Sequence, residues 1–165
     1  MIERLPLVID PIRLAEAGSR FQGQLELAQL QRLAPTLQQV QGKVEVEVEF
    51  GRDDLHIAYL SGRLQTQLGL VCQRCLQPMT WPVNTTFALG LVTTDQAAEQ
   101  LPEGYEPLMV SGAMTLADII EDELILAVPL VPMHARAECQ AQGLGGGQQG
   151  KETHPFAALA QLKRH

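Results

Sequence analysis

The sequence has few aromatic residues, few cysteines and no cluster of positive charge. Phe, Trp and Tyr together make up 4% of the 165 residues, although 45% of the chain is hydrophobic. Any core must therefore be built mainly from Leu, Val, Ile and Ala, and the length suits about one domain. The net charge is −7 and the basic residues are scattered. Without a basic patch or stripe, binding to duplex nucleic acid is disfavoured, and DNA is not expected as a partner.

A long apolar run and a secretory signal are also missing. The longest apolar run, LILAVPLVPM, is broken by Pro129 and Pro132 and is far shorter than a membrane span. The opening MIERLPLVIDPIR is too short, and too interrupted by charge and proline, for a signal peptide. Three cysteines without a signal argue against a disulfide framework. These absences predict a cytoplasmic protein without a membrane partner, whose thiols stay reduced and free to bind metal.

Two short helices are expected before the first strand. Asp10-Pro11 is typical of a helix start, because Asp caps free amides and Pro is tolerated at the first helical position. This predicts a helix over residues 11–17, stopped by Gly18. A second short helix is predicted over residues 25–33, before Pro35.

The clearest pattern is VEVEVEF at residues 44–50, which alternates strictly between apolar and acidic side chains. Period two with one apolar face predicts a half-buried strand, with Glu45, Glu47 and Glu49 on its outer face as candidates for meeting a basic partner. Strands over 55–60, 63–71 and 80–92 follow, with a tight turn at Ser61-Gly62. We therefore expect an α+β fold, in which an antiparallel β-meander forms a barrel-like sheet with a few short helices and a Cys-x-x-Cys knuckle on a hairpin.

An acidic excursion loop over residues 93–107 is expected to precede the longest helix, at TLADIIEDELILAV. Thr115 can cap its start, and Pro129 forbids continuation, so the helix should end near Ala127. The apolar stripe leaves the acidic triplet mostly outside it, namely Glu121, Asp122 and Glu123. An acidic helical run without a nucleophile or His at fixed spacing does not indicate catalysis. We interpret the triplet as a solvated face and a second candidate for contacting a basic partner.

Composition divides the chain into three parts. Residues 1–140 are expected to form a single α+β domain, and residues 141–154 a flexible tether rich in Gly and Gln. Residues 155–165 begin at a proline and predict a short amphipathic helix. Phe156 and Leu159 would share its apolar face, which makes them candidates for docking onto a partner.

The motif CQRC has the spacing of half a zinc site. Zinc takes four ligands in a tetrahedron, and Cys72 and Cys75 would be completed by His134 and Cys139 in a structural site. Two alternatives stay open: plain thiols beside an ordinary histidine, and a redox pair. The redox interpretation is the weaker, because such pairs usually sit where a strand meets a helix N-terminus. Arg74, inside the knuckle, would either contact phosphate or compensate thiolate charge.

Several segments, in this order, resemble the YceD family of large ribosomal RNA subunit accumulation proteins. They are LPLVIDPIRLAEAG, CQRCLQPM, YEPL, DIIEDELILAVPLVPMH with a later Cys, and PFAALAQLK. The resemblance implies a role in the synthesis, processing or stability of 23S ribosomal RNA and supplies no catalytic residue. We expect a non-enzymatic factor that contacts a ribosomal protein or pre-ribosomal particle, because an acidic surface attracts basic proteins. Direct RNA contact stays open, and the alternative is a metal-dependent RNA-processing enzyme.

Overall fold

A computed structural model describes residues 5–139, whose main feature is a five-stranded sheet. The strands are β1 (Val8–Ile9), β2 (Arg20–Glu26), β3 (Lys43–Arg52), β4 (Ala58–Val71), β5 (Pro78–Val92), β6 (Glu106–Met109) and β7 (Met114–Thr115). The helices are α1 (Pro11–Ala17), α2 (Asp95–Glu99) and α3 (Leu116–Ala127), with 3-10 turns at Leu27–Gln29 and Ala34–Thr36. The predicted α+β class is confirmed. The predicted tether and the predicted C-terminal helix, with Phe156 and Leu159, lie outside the described residues.

The sheet is an open one, with strand order β2-β3-β4-β5-β6. Its first four strands form the predicted antiparallel meander, and β6 joins β5 in parallel. The barrel-like expectation is wrong, because closure requires the two edge strands to pair, and β2 and β6 lie at opposite edges. Strands β1 and β7 form a separate antiparallel pair. Within residues 5–139, no helix has the length and apolar character needed to cross a membrane.

Strand β3 follows the predicted alternation, and β4 departs from the predicted division into two strands. The apolar side chains of β3 are buried and its acidic ones lie toward solvent. The turn expected at Ser61-Gly62 is wrong, since both residues pair inside the continuous strand β4. Gly62 is needed there for close packing: a Cβ at this position would lie 2.5 Å from Cζ of Phe87. The turn between β3 and β4 contains Asp53, whose carboxylate accepts from the amides of Leu55 and Ile57.

The helix predicted over residues 25–33 is wrong. Its first two residues belong to β2, which pairs with β3, and the remainder forms tight turns. Leu27, Leu30 and Leu33 are all buried, so their period of three supplies core residues without an α-helix. The apolar spacing was compatible with both structures, and pairing with β3 decided between them.

The helices predicted over residues 11–17 and up to Ala127 form where expected. The Asp10 carboxylate accepts from the amide of Arg13 at 3.2 Å, and Gly18 ends α1 in the left-handed conformation with φ of 63°. Helix α3 ends at Ala127 as predicted. The expected cap by Thr115 is wrong, because its side chain makes no capping hydrogen bond. The first amide of α3, on Leu116, donates instead to the carbonyl oxygen of Leu7 at 3.1 Å.

Candidate metal centre

The knuckle is the turn that joins β4 to β5, as the sequence predicted. The amide of Cys72 donates to the carbonyl of Gln77 at 3.0 Å, and the amide of Leu76 donates to the carbonyl of Cys72 at 2.9 Å. Leu76 takes a left-handed conformation, with φ of 57°, which reverses the chain within this short span. The turn brings Cys72 and Cys75 to the end of a long hairpin.

The second half of the site comes from the segment that follows α3. Pro129 prevents continuation of the helix, and the chain runs to the knuckle, where the amide of Gln73 donates to the carbonyl of Pro132 at 2.8 Å. The amide of His134 then donates to Sγ of Cys72 at 3.4 Å. A turn follows in which the amide of Cys139 donates to the carbonyl of Ala135, so that Cys139 returns to the site.

The structure brings together all four residues that the sequence proposed as ligands. Three thiol sulfurs and one imidazole nitrogen lie within 4.8 Å of one another, from Cys72, Cys75, His134 and Cys139. Tetrahedral zinc, with bonds of about 2.3 Å to sulfur and about 2.0 Å to nitrogen, places its ligands about 3.5–3.8 Å apart. Sγ of Cys75 lies 3.4 Å from Nδ1 of His134, which fits that spacing. The four side chains could therefore hold one metal ion with little movement.

The imidazole of His134 is oriented for metal binding. Its Nε2 lies 3.1 Å from the carbonyl oxygen of Pro78, which can only accept a hydrogen bond. A ring proton on Nε2 satisfies this contact and leaves the lone pair of Nδ1 directed at Sγ of Cys75. A backbone carbonyl that fixes the tautomer in this way is the usual support of a ligating histidine.

The backbone around Cys72 favours its thiolate form. Burial raises the pKa of Cys72, but hydrogen bonds from the amides of Cys75, His134 and Arg74 outweigh it and lower the pKa to about 5. The lowered pKa favours the thiolate of Cys72 at neutral pH, although the side chain is buried. The thiolate is the form of cysteine that binds metals.

Cys75 behaves in the opposite way because of its neighbours. The amide of Gln77 lowers its pKa, but burial and the nearby thiols of Cys72 and Cys139 outweigh that effect, so the pKa is raised. Neighbouring thiols resist losing all their protons, because the resulting thiolate charges repel one another unless a cation compensates them. A divalent ion would remove this penalty, and so the donor set fits a metal chemically as well as geometrically.

The surroundings disfavour the redox alternative. Cys72 and Cys75 lie between two antiparallel strands, β4 and β5, whereas a redox pair would be expected at a helix N-terminus.

The side chain of Arg74 contacts a methionine near the knuckle, with its Nη2 3.5 Å from Sδ of Met133. The amide of Arg74 also hydrogen-bonds to Cys72.

The acidic triplet is not a uniform solvated face, which corrects the interpretation of Glu121. This residue is buried, and its carboxylate accepts from the amides of Arg32 and Leu33 at 2.7 and 3.0 Å and from Nε of Arg32 at 3.0 Å. Burial raises the pKa of Glu121, but these donors outweigh it and lower the pKa. Asp122 is exposed and paired with the same guanidinium, while Glu123 is half-buried. Arg32 lies 89 positions from Glu121, and nothing in the sequence connected them.

The acidic face of β3 also forms hydrogen bonds within the protein. Each of its carboxylates accepts a hydrogen bond from β2: Glu45 from Gln24, Glu47 from Gln22 and Glu49 from Arg20. The face remains at the surface, but its side chains form a cross-strand ladder.

Comparison with known proteins identifies the family of this chain. The family model described as "Large ribosomal RNA subunit accumulation protein YceD" matches residues 60–163. The Haemophilus influenzae protein named "Large ribosomal RNA subunit accumulation protein YceD" is 35% identical over 169 residues, which cover 98% of this chain and 97% of that protein. No solved structure matches the chain. The chain belongs to the YceD family.

Proposed function

We propose that this protein is a non-enzymatic factor in ribosome biogenesis that supports the synthesis, processing or stability of 23S ribosomal RNA. The names of its family and of its relative support the link to large-subunit RNA. The net charge of −7 supports action through a basic ribosomal protein or a pre-ribosomal particle, because an acidic surface attracts basic proteins.

The observation that carries the non-enzymatic part is the cluster of four donors. Cys72, Cys75, His134 and Cys139 would fill every position of a tetrahedral zinc ion. A catalytic zinc keeps one position for water or substrate, and four protein ligands leave none. We therefore assign the site a structural role with zinc as its ion.

A structural ion here would fix the segment after α3 to the end of the hairpin. The hydrogen bonds that join these parts are few, among them Gln73 to Pro132 and His134 to Cys72. A zinc ion with two ligands from the hairpin end and two from the segment after α3 would hold these two parts together. The resident zinc would thus order one end of the molecule for contact with a partner.

Complementation in cells tests the proposal. A bacterial strain that lacks its own YceD protein should show reduced 23S relative to 16S ribosomal RNA, and expression of this chain should restore the ratio. Cys75→Ser should restore it poorly, while Ser61→Ala serves as a matched conservative change away from the site. Failure of the wild-type chain to change the ratio would refute the proposed function.

A nuclease assay separates the proposal from the enzymatic alternative. Purified zinc-loaded protein is incubated with precursor 23S RNA, with and without a chelator. The proposal expects no cleavage in either sample. Cleavage that disappears with the chelator and with Cys75→Ser would establish a metal-dependent RNA-processing enzyme instead.

A further inference from the structure

An apolar strip lies exposed from the last turn of α3 toward the metal centre. It consists of Leu126, Leu130, Val131 and Met133, whose exposed fractions are 72%, 102%, 56% and 43%. Large apolar side chains that are exposed singly are ordinary, but four of them close together along one segment favour an interaction surface. We call these four residues the apolar strip.

Both ends of the apolar strip are held by the fold. Leu126 and Ala127 lie beside residues 85–88 of β5, where they line a cleft of about 480 Å³. The carbonyl of Pro132, between Val131 and Met133, accepts from the amide of Gln73 in the knuckle. The strip is therefore stretched from the middle of β5 to the hairpin end, and its side chains are kept at the surface.

The cleft beside Leu126 is acidic. Glu106 and Glu123 both line it. Burial raises the pKa of Glu123, and the charges of Glu106 and Asp122 raise it further. Within residues 5–139, neither Glu106 nor Glu123 forms an ion pair, in contrast to Glu121 and Asp122, which share Arg32. The cleft thus holds negative charge that a cation from elsewhere would stabilise.

We propose that the apolar strip and the cleft of Glu106 and Glu123 together bind a segment of a basic protein, with its apolar side chains on the strip and a Lys or Arg in the cleft. The inference rests on the proposed function and names the surface and chemical class of partner that the function would use. Charge complementarity favours a basic protein over RNA. The two carboxylates would repel RNA phosphates, and the strip offers no aromatic ring for base stacking.

The polarity of the surface also orients the bound segment. Glu106 and Glu123 lie at the β5 end, whereas Arg74 contacts Met133 at the knuckle end. The Lys or Arg of the partner should therefore occupy the β5 end, and the knuckle end should receive a neutral or acidic residue. Of the acidic triplet, only Glu123 belongs to this surface. Glu121, Asp122 and the acidic side chains of β3 already have partners within the protein.

Site-specific crosslinking tests the inference on the full chain. A photoreactive amino acid replaces Leu130, and the probe is total protein extracted from purified large ribosomal subunits. The crosslinked peptide should come from a basic protein and carry Lys or Arg beside apolar residues. Glu106→Gln with Glu123→Gln should lower the crosslink yield about fivefold, the effect of losing one ion pair. The matched control, Glu45→Gln with Glu47→Gln, should leave the yield unchanged.

Other occupants are distinguished by the same crosslink. A crosslink to residues 140–165 of the same chain, to a second copy or to RNA would overturn the proposal. A crosslinked segment without Lys or Arg, or a yield unaffected by the cleft substitutions, would overturn it as well.

Complementation separates this inference from the proposed function. Leu130→Asp should preserve folding and metal content, because the side chain is fully exposed, and should fail to restore 23S RNA. Full restoration by Leu130→Asp refutes the docking surface and leaves the proposed function standing. If wild-type protein fails to restore 23S RNA, the proposed function fails, and the crosslink still decides what the surface binds.

Discussion

Replacement of Glu121 by Ala should destabilise the protein strongly, although the residue lies in an acidic run that resembles a solvated face. The carboxylate accepts three hydrogen bonds, two of them from the amides of Arg32 and Leu33. Leu33 is fully buried, so its amide would be left without a partner. An unsatisfied buried donor costs about 1–3 kcal/mol, and the remaining hydrogen bonds add about 1 kcal/mol. We expect a loss of about 3 kcal/mol in the free energy of unfolding.

Thermal and denaturant unfolding of the zinc-loaded protein would measure this loss. At a few degrees per kcal/mol for a domain of this size, the Tm should fall by about 10 °C. Asp122→Ala is the matched control, because Asp122 binds the same guanidinium of Arg32 from an exposed position. An exposed ion pair contributes about 1 kcal/mol or less, so the control should shift Tm by a few degrees at most. Equal shifts for the two variants, or no shift for Glu121→Ala, would refute this reasoning.

The pH dependence gives a second test of the role of Glu121. Its pKa in the folded state is lowered from the ordinary value of 4.5. A carboxyl with a lowered pKa contributes stability that is present above its unfolded pKa and is lost as pH falls through the folded pKa. The stability difference between wild type and Glu121→Ala should therefore be full near pH 7 and shrink below about pH 4.5.

The remaining predictions concern the metal, a close packing contact and the C-terminal segment. Protein purified without added metal should contain about one zinc per chain by elemental analysis, and Cys75→Ser should lower both metal content and Tm; a zinc-free protein whose Cys75→Ser variant melts like wild type would contradict this. Gly62→Ala should lower stability by about 1–3 kcal/mol, because its Cβ would overlap the Phe87 ring, and Phe87→Leu should relieve part of the loss in the double variant; an unchanged melting curve for Gly62→Ala would show that the ring moves freely. Deletion of residues 141–165 should leave the melting of the core unchanged and weaken capture of the partner, whereas a deletion that unfolds the protein would show that the segment belongs to the core.

The metal centre shows why a ligand set can be found before its geometry is known. The sequence holds only three cysteines, and the knuckle spacing restricted two of them to one turn. His134 and Cys139 completed the set by number and spacing alone. The structure added what makes the set work: the carbonyl of Pro78 that fixes the imidazole tautomer, and the amides that lower the pKa of Cys72.

Patterns that depend on neighbours along the chain determined much of this protein. The alternation in β3, the cap at Asp10 and the stop at Pro129 are set by backbone geometry and side-chain period, and the structure follows them. Tertiary structure alone decided the features whose partners are far away in sequence. Gly62 is typical of a turn in its local sequence, yet it lies inside a strand because it pairs with Val48 of β3 and Phe87 of β5. Glu121 has the local sequence of a surface charge, yet it can be buried because the amides of Arg32 and Leu33, distant in sequence, donate hydrogen bonds to its carboxylate. The local sequence permits both outcomes in each case, and the packing partner chooses between them.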